Sequence, residues 1–74
     1  MEENMRIILT PREAAQALRI STTDLYPLLD KGEIPAYRDK STWKIPVALL
    51  QEYANNKAIE QARLRREIAR KEEA

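Results

Sequence analysis

The sequence predicts a mainly α-helical chain with one small β-hairpin and a charged helical extension at its C-terminal end. Three observations predict it. Two helix-start signals stand close together, at Thr10 and at Ser21. Apolar and polar residues then alternate between Ile34 and Ile45, which is the period of a strand and not of a helix. From Lys57 onward Arg, Glu, Lys and Ala dominate, and no Gly or Pro interrupts them.

The first helix opens at Thr10-Pro11-Arg12-Glu13. The Thr10 hydroxyl can accept from a free backbone N–H, and Pro11 stands where its missing N–H costs nothing. Glu13 completes a capping box. Ala14, Ala15 and Leu18 then recur at helical spacing, and Ile20 falls just beyond. Ser21 starts the second helix, with Asp24 in the place of the capping acid. Leu25, Leu28 and Leu29 form its apolar face; Lys31 in the last turn and Gly32 after it mark a left-handed stop. A connection of two or three residues fixes the helices at a steep angle, the helix-turn-helix arrangement. Pro27 lies inside the second helix and removes a hydrogen bond there, a tolerated irregularity or a reshaped reading head.

Ile34-Pro35-Ala36-Tyr37-Arg38 and Thr42-Trp43-Lys44-Ile45 read as two strands joined by a turn at Asp39-Lys40-Ser41. A lone hairpin is barely stable in water, so this one leans on the helices through Ile34, Trp43 and Ile45. Pro46 opens a third helix with Val47, Leu49, Leu50, Tyr53 and Ala54 inward. Beyond Asn56 the helix projects, with helix-stabilising pairs expected at Glu60–Arg63, Glu67–Arg70 and Glu67–Lys71. Ile59, Ala62, Leu64 and Ile68 keep no clean heptad, so the reading of the extension is a solvated helix. The division this predicts is residues 1–56 for a winged helix-turn-helix domain and residues 57–74 for the extension.

Composition narrows the function. The 74 residues allow one domain. There is no Cys and no His, so disulfides, thiolate metal sites and the commonest transition-metal ligand are absent. Neither a nucleophile–base pair nor a Gly-rich phosphate loop is present, and no enzymatic activity, metal or cofactor is expected. The longest apolar run, Ile7-Ile8-Leu9, is far short of a membrane span, and residues 1–4 are acidic where a signal peptide is basic. A soluble cytoplasmic protein without membrane contact is the expectation. Net charge is only +1, from 13 Lys and Arg against 12 Asp and Glu, so any nucleic-acid binding must come from local placement of charge. The extension carries six basic and four acidic residues and is the more basic part.

Leu9-Thr10-Pro11-Arg12-Glu13-Ala14-Ala15, Leu18, Ile20-Ser21, Leu25-Tyr26, Gly32, Ile34-Pro35, Arg38 and Trp43-Lys44-Ile45 together resemble the excisionase-type helix-turn-helix domains of the MerR-type winged superfamily. The resemblance implies double-stranded DNA as the partner, with the second helix in the major groove and the hairpin as a wing on the backbone. It implies a role as excisionase or transcription regulator. The chain departs from the pattern at Asp24, at Pro27 and in a turn without Gly.

The residues expected to touch DNA are Arg12, Thr22, Thr23, Tyr26, Lys31, Arg38, Lys40, Ser41 and Lys44. Arg12 stands at a helix start and Lys31 at a helix end. Arg38, Lys40 and Lys44 share the hairpin and are expected to present one basic edge to phosphate. The hydroxyls of Thr22, Thr23 and Tyr26 suit bases or phosphates. The two Thr equally suit helix-start chemistry, and Tyr26 suits core packing, the commoner use of an aromatic ring in a small core. Trp43 is read as the anchor of the hairpin. Asp24, Asp30 and Glu33 place negative charge near the reading surface. They leave a second function open, a protein-interaction adaptor that keeps the fold without binding DNA. A unit this small makes few base contacts, so self-association, or a recombinase or regulatory protein, is the expected further partner.

Overall fold

The computed structural model describes residues 7–73; the acidic residues 1–4 and Ala74 lie outside them. The chain runs β1 (Ile8–Leu9), α1 (Pro11–Leu18), α2 (Thr22–Asp30), β2 (Tyr37–Asp39), β3 (Thr42–Pro46) and α3 (Val47–Glu73). It is a mainly helical winged helix-turn-helix with a C-terminal helix.

The first cap forms as the sequence dictates. The Glu13 N–H donates to the Thr10 hydroxyl at 3.1 Å, and the Thr10 N–H donates to the Glu13 carboxylate at 3.0 Å. At the second start the Asp24 N–H donates to the Ser21 hydroxyl at 3.1 Å. Between the helices, Arg19 takes a left-handed conformation, φ 62° and ψ 41°, and its N–H closes the last turn of α1. Arg19, Ile20 and Ser21 are the whole connection. Helix α2 ends with Lys31 as its cap and Gly32 at φ 78°, while the Glu33 N–H reaches back to the Leu28 carbonyl at 3.0 Å. This is the left-handed stop that Gly32 predicts.

The sheet differs from expectation in four ways. It has three strands in the order β1-β3-β2, because Ile8 pairs with Pro46 and Leu9 with Ile45. Two residues are too few to show alternation, so β1 has no periodic signature. Asp39 belongs to β2 and pairs with Thr42, which leaves a two-residue turn, Lys40-Ser41, with both φ positive at 57° and 77°. Ile34, Pro35 and Ala36 lie before the strand, not in it. Pro46 closes β3 instead of opening the helix, and the Val47 N–H bonds to the Ile7 carbonyl at 2.8 Å.

The core consists of Ala14, Ala15, Leu25, Leu29, Ile34, Ile45 and Leu50, with Leu9, Leu18, Ile20, Leu28, Ala36, Trp43 and Tyr53 packed around it. Small residues on α1 let α2 and the sheet approach closely. Leu49 and Ala54, expected inward, are exposed, and so is Tyr26, at 43%. Leu50 and Tyr53 already fill the space on that side of α3.

Helix α3 runs unbroken for 27 residues, about 40 Å at the α-helical rise. The radius of gyration is 15.5 Å and the longest extent 54 Å. A compact chain of this length has a radius near ~11 Å, so the excess belongs to the projecting helix. Arg63 bridges Glu60 and Glu67, each at 2.6 Å, in place of the pairing of Glu67 with Arg70 and Lys71. The hydrogen bond and charge of Arg63 hold the Glu60 carboxyl below its ordinary range. No helix of the described residues is long and apolar enough to cross a membrane.

Candidate nucleic-acid interface

Alternation in β3 sorts the hairpin into two faces. Ile45 is fully buried and Trp43 half-buried, so these two define the face turned to the helices. Arg38 is paired directly with Trp43 and shares that face. Its guanidinium lies over the Trp43 ring, 5.4 Å from the centroid. Such a contact holds a long flexible side chain in one place while leaving its outer edge free to bond. Lys44 pairs with Tyr37 on the opposite face, where Tyr37 is 51% exposed.

The face carrying Arg38 looks across to α2. A hollow there is lined by Tyr26 and Asp30 from α2, Arg38, Ser41, Thr42 and Trp43 from the hairpin, and Pro11 from the start of α1. Three of the expected contact residues, Tyr26, Arg38 and Ser41, are therefore brought together. The single basic edge expected for Arg38, Lys40 and Lys44 does not form, because successive strand residues point to opposite faces. Lys40 stands at the tip, in the turn, and Lys44 lies behind.

The remaining expected residues take the two ends of the helices. Arg12 is exposed in the first turn of α1. Thr22 and Thr23 are exposed in the first turn of α2, and Lys31 caps its far end. Lys31 follows Thr22 by nine positions along the helix, a rise of about 13 Å. Leu25 and Leu29 point inward, which places Thr23 and Pro27 outward. Pro11, Asp30, Thr42 and Trp43 are the lining residues that the expected set omits. The signal for Thr42 is its place in a two-residue turn's flank, and that turn is not evident without Asn or Gly in it.

Among the described residues no group of His, Cys, Asp and Glu is placed to hold a metal ion. Two helices joined by a short turn, then a hairpin whose arginine faces the second helix, make a helix-turn-helix unit with a wing. A family model described as helix-turn-helix domain matches residues 8–58, from β1 into α3, and the chain belongs to that family. Membership indicates DNA as the class of partner. No curated protein and no solved structure matches the chain.

Proposed function

We propose that the protein binds double-stranded DNA as an excisionase or transcription regulator of the MerR-like winged type, acting in the cytoplasm and without catalysis. The observation that carries this reading is the hollow between α2 and the wing, where Arg38 is steadied on Trp43 beside Tyr26 and Ser41. With α2 in the major groove, the exposed first turn brings Thr22 and Thr23 to the bases. Arg38 and Lys40 then meet the flanking phosphates. Arg12, exposed in the first turn of α1, adds positive charge beside them. Lys31 bears on the backbone at the other end of α2, and Lys44 supplies charge from behind the wing. In this reading residues 8–56 do the binding. Residues 57–73 are a solvated arm, free for self-association or for a recombinase or regulatory partner.

A titration of the whole chain against random-sequence duplex DNA at several salt concentrations tests the proposal. Binding that weakens linearly on a log–log plot as salt rises is the expected result, because phosphate neutralisation releases counterions. The second reading is a protein-interaction adaptor. It is favoured by Asp24 and Asp30 on an α2 whose helical residues include no Lys or Arg. No detectable binding at low salt would establish it over DNA binding.

A further inference from the structure

We propose that α2 reads the pyrimidine side of its base pairs: thymine by its 5-methyl group against Thr23 and Pro27, and cytosine by its N4 amino group donated to Asp24. The inference rests on the DNA-binding reading and adds the base chemistry to it.

The composition of α2 carries the argument. Its helical residues are Thr-Thr-Asp-Leu-Tyr-Pro-Leu-Leu-Asp. Reading a purine in the major groove takes a bidentate side chain: Arg or Lys to guanine O6 and N7, or Asn or Gln to adenine N6 and N7. The helix has none of these four residue types. Lys31, the nearest, is its C-cap, at the end remote from the N-terminal turns that meet base edges. What the exposed side offers is apolar surface and acceptors, and these fit the pyrimidines. Thymine presents a methyl group and cytosine presents a donor.

Geometry puts the right groups outward. With Leu25 and Leu29 buried, a step of 100° per residue sets Pro27 opposite them, at the centre of the exposed side. Thr23 stands one turn before it. A proline ring in that position is a rigid apolar surface, with no side-chain entropy to lose on contact. Pro27 also has no N–H, so it denies the Thr23 carbonyl its usual donor four residues on and leaves an acceptor facing out. Asp24 flanks Thr23 in the first turn, exposed, with its own N–H already on Ser21. Its carboxylate accepts and cannot donate, so it fits an amino group and not the thymine carbonyl; cytosine N4 offers that donor alone, whereas adenine N6 stands beside the N7 acceptor, which repels a carboxylate. Asp30, by contrast, lines the hollow beside Arg38 and takes no part in the reading.

Every base pair contains one purine and one pyrimidine, so the test must separate them chemically. A binding site is selected from a randomised duplex library with the whole chain at low salt. It is then remade with uracil for thymine, which deletes the methyl group, and separately with 7-deazapurines, which delete N7. Affinity is expected to fall by about fourfold for each contacted methyl, the equivalent of one buried carbon, and to be unchanged by the 7-deazapurines. The Pro27→Ala variant restores a helical N–H, so it keeps the fold; with Thr23 still in place it is expected to reduce the thymine–uracil difference and retain the salt dependence, and Thr23→Ala with Pro27→Ala together to abolish that difference. Asp24→Asn is expected to acquire sensitivity to 7-deazaadenine. Loss of affinity with 7-deazapurines in the wild type overturns the proposal, as does binding indifferent to uracil or without any enriched sequence. Each of these leaves DNA binding standing, whereas no binding to any duplex overturns the function itself.

Discussion

Among the described residues, three other than glycine hold positive φ: Arg19, Lys40 and Ser41. An L side chain in this region crowds its own carbonyl, at a cost of about 1–2 kcal/mol. Arg19 ends α1 where glycine is the usual choice, and no local residue type announces that stop. The sequence shows where α1 begins far more clearly than where it ends. Arg19→Gly should raise the melting temperature modestly, since relief of strain exceeds the added chain entropy of about 0.5–1 kcal/mol. Arg19→Val should lower it; calorimetry of the pair checks the sign. Ser41→Gly should likewise stabilise the hairpin, whose two-residue turn favours glycine at its second position. Trp43 was legible as an anchor and is one, though only half-buried. Its truncation to alanine should cost about 2–3 kcal/mol, below the figure typical of a fully enclosed ring. An unchanged circular dichroism melt would show that the ring's role is to steady Arg38.

At the scale of elements, helix starts and the two strands of the hairpin could be read from the chain because each has a local cause. Thr10 with Glu13, Ser21 with Asp24 and the alternation up to Ile45 all act within a few residues. Strand β1 has no such cause: Ile8 and Leu9 become a strand only because β3 offers an edge. Tyr26 was equally illegible, since whether an aromatic ring is buried depends on the angle between helices, and here the ring lines the open hollow between α2 and the wing. The projecting part of α3 is supported by local forces, among them Arg63 between Glu60 and Glu67. The lowered pKa of Glu60 means that its ion pair stabilises the helix above the unfolded carboxylate range and is lost as pH falls through the folded value. Helicity by circular dichroism at low salt should therefore drop on acidification from about pH 7 to about pH 3. The step should be smaller in Glu60→Gln and should shrink in both proteins with added salt, because the pair is solvent-exposed.

For the whole molecule, the near-neutral net charge conceals an uneven distribution. The helical residues of α2 are acidic, the hairpin is basic, and the basic surplus of the extension lies along an arm away from the wing. Among the described residues the last buried one is Leu50, so deleting residues 61–74 should leave the helix-turn-helix folded, with its near-ultraviolet spectrum intact. An unfolded truncation would make the arm part of the fold. DNA affinity must then depend on few cations, which makes each one measurable. Arg38→Ala and Lys40→Ala should each reduce the slope of log affinity against log salt by about one phosphate's worth and weaken all sequences alike. Lys44 faces the other way across the hairpin, beside Tyr37, so Lys44→Ala should change the slope less than either. Thr23→Ala should leave the slope alone and relax discrimination between sites, because the contact proposed for it is to bases and not to phosphate. A Lys44 effect equal to that of Arg38 would mean that the wing enters a groove with both faces engaged. Unchanged slopes in all three variants would take the wing off the DNA and leave α2, with its two carboxylates, to bind alone. A helix of that charge gains nothing from phosphate, so the salt dependence of the intact protein would then have to come from the arm, and the truncation at residue 61 would abolish it.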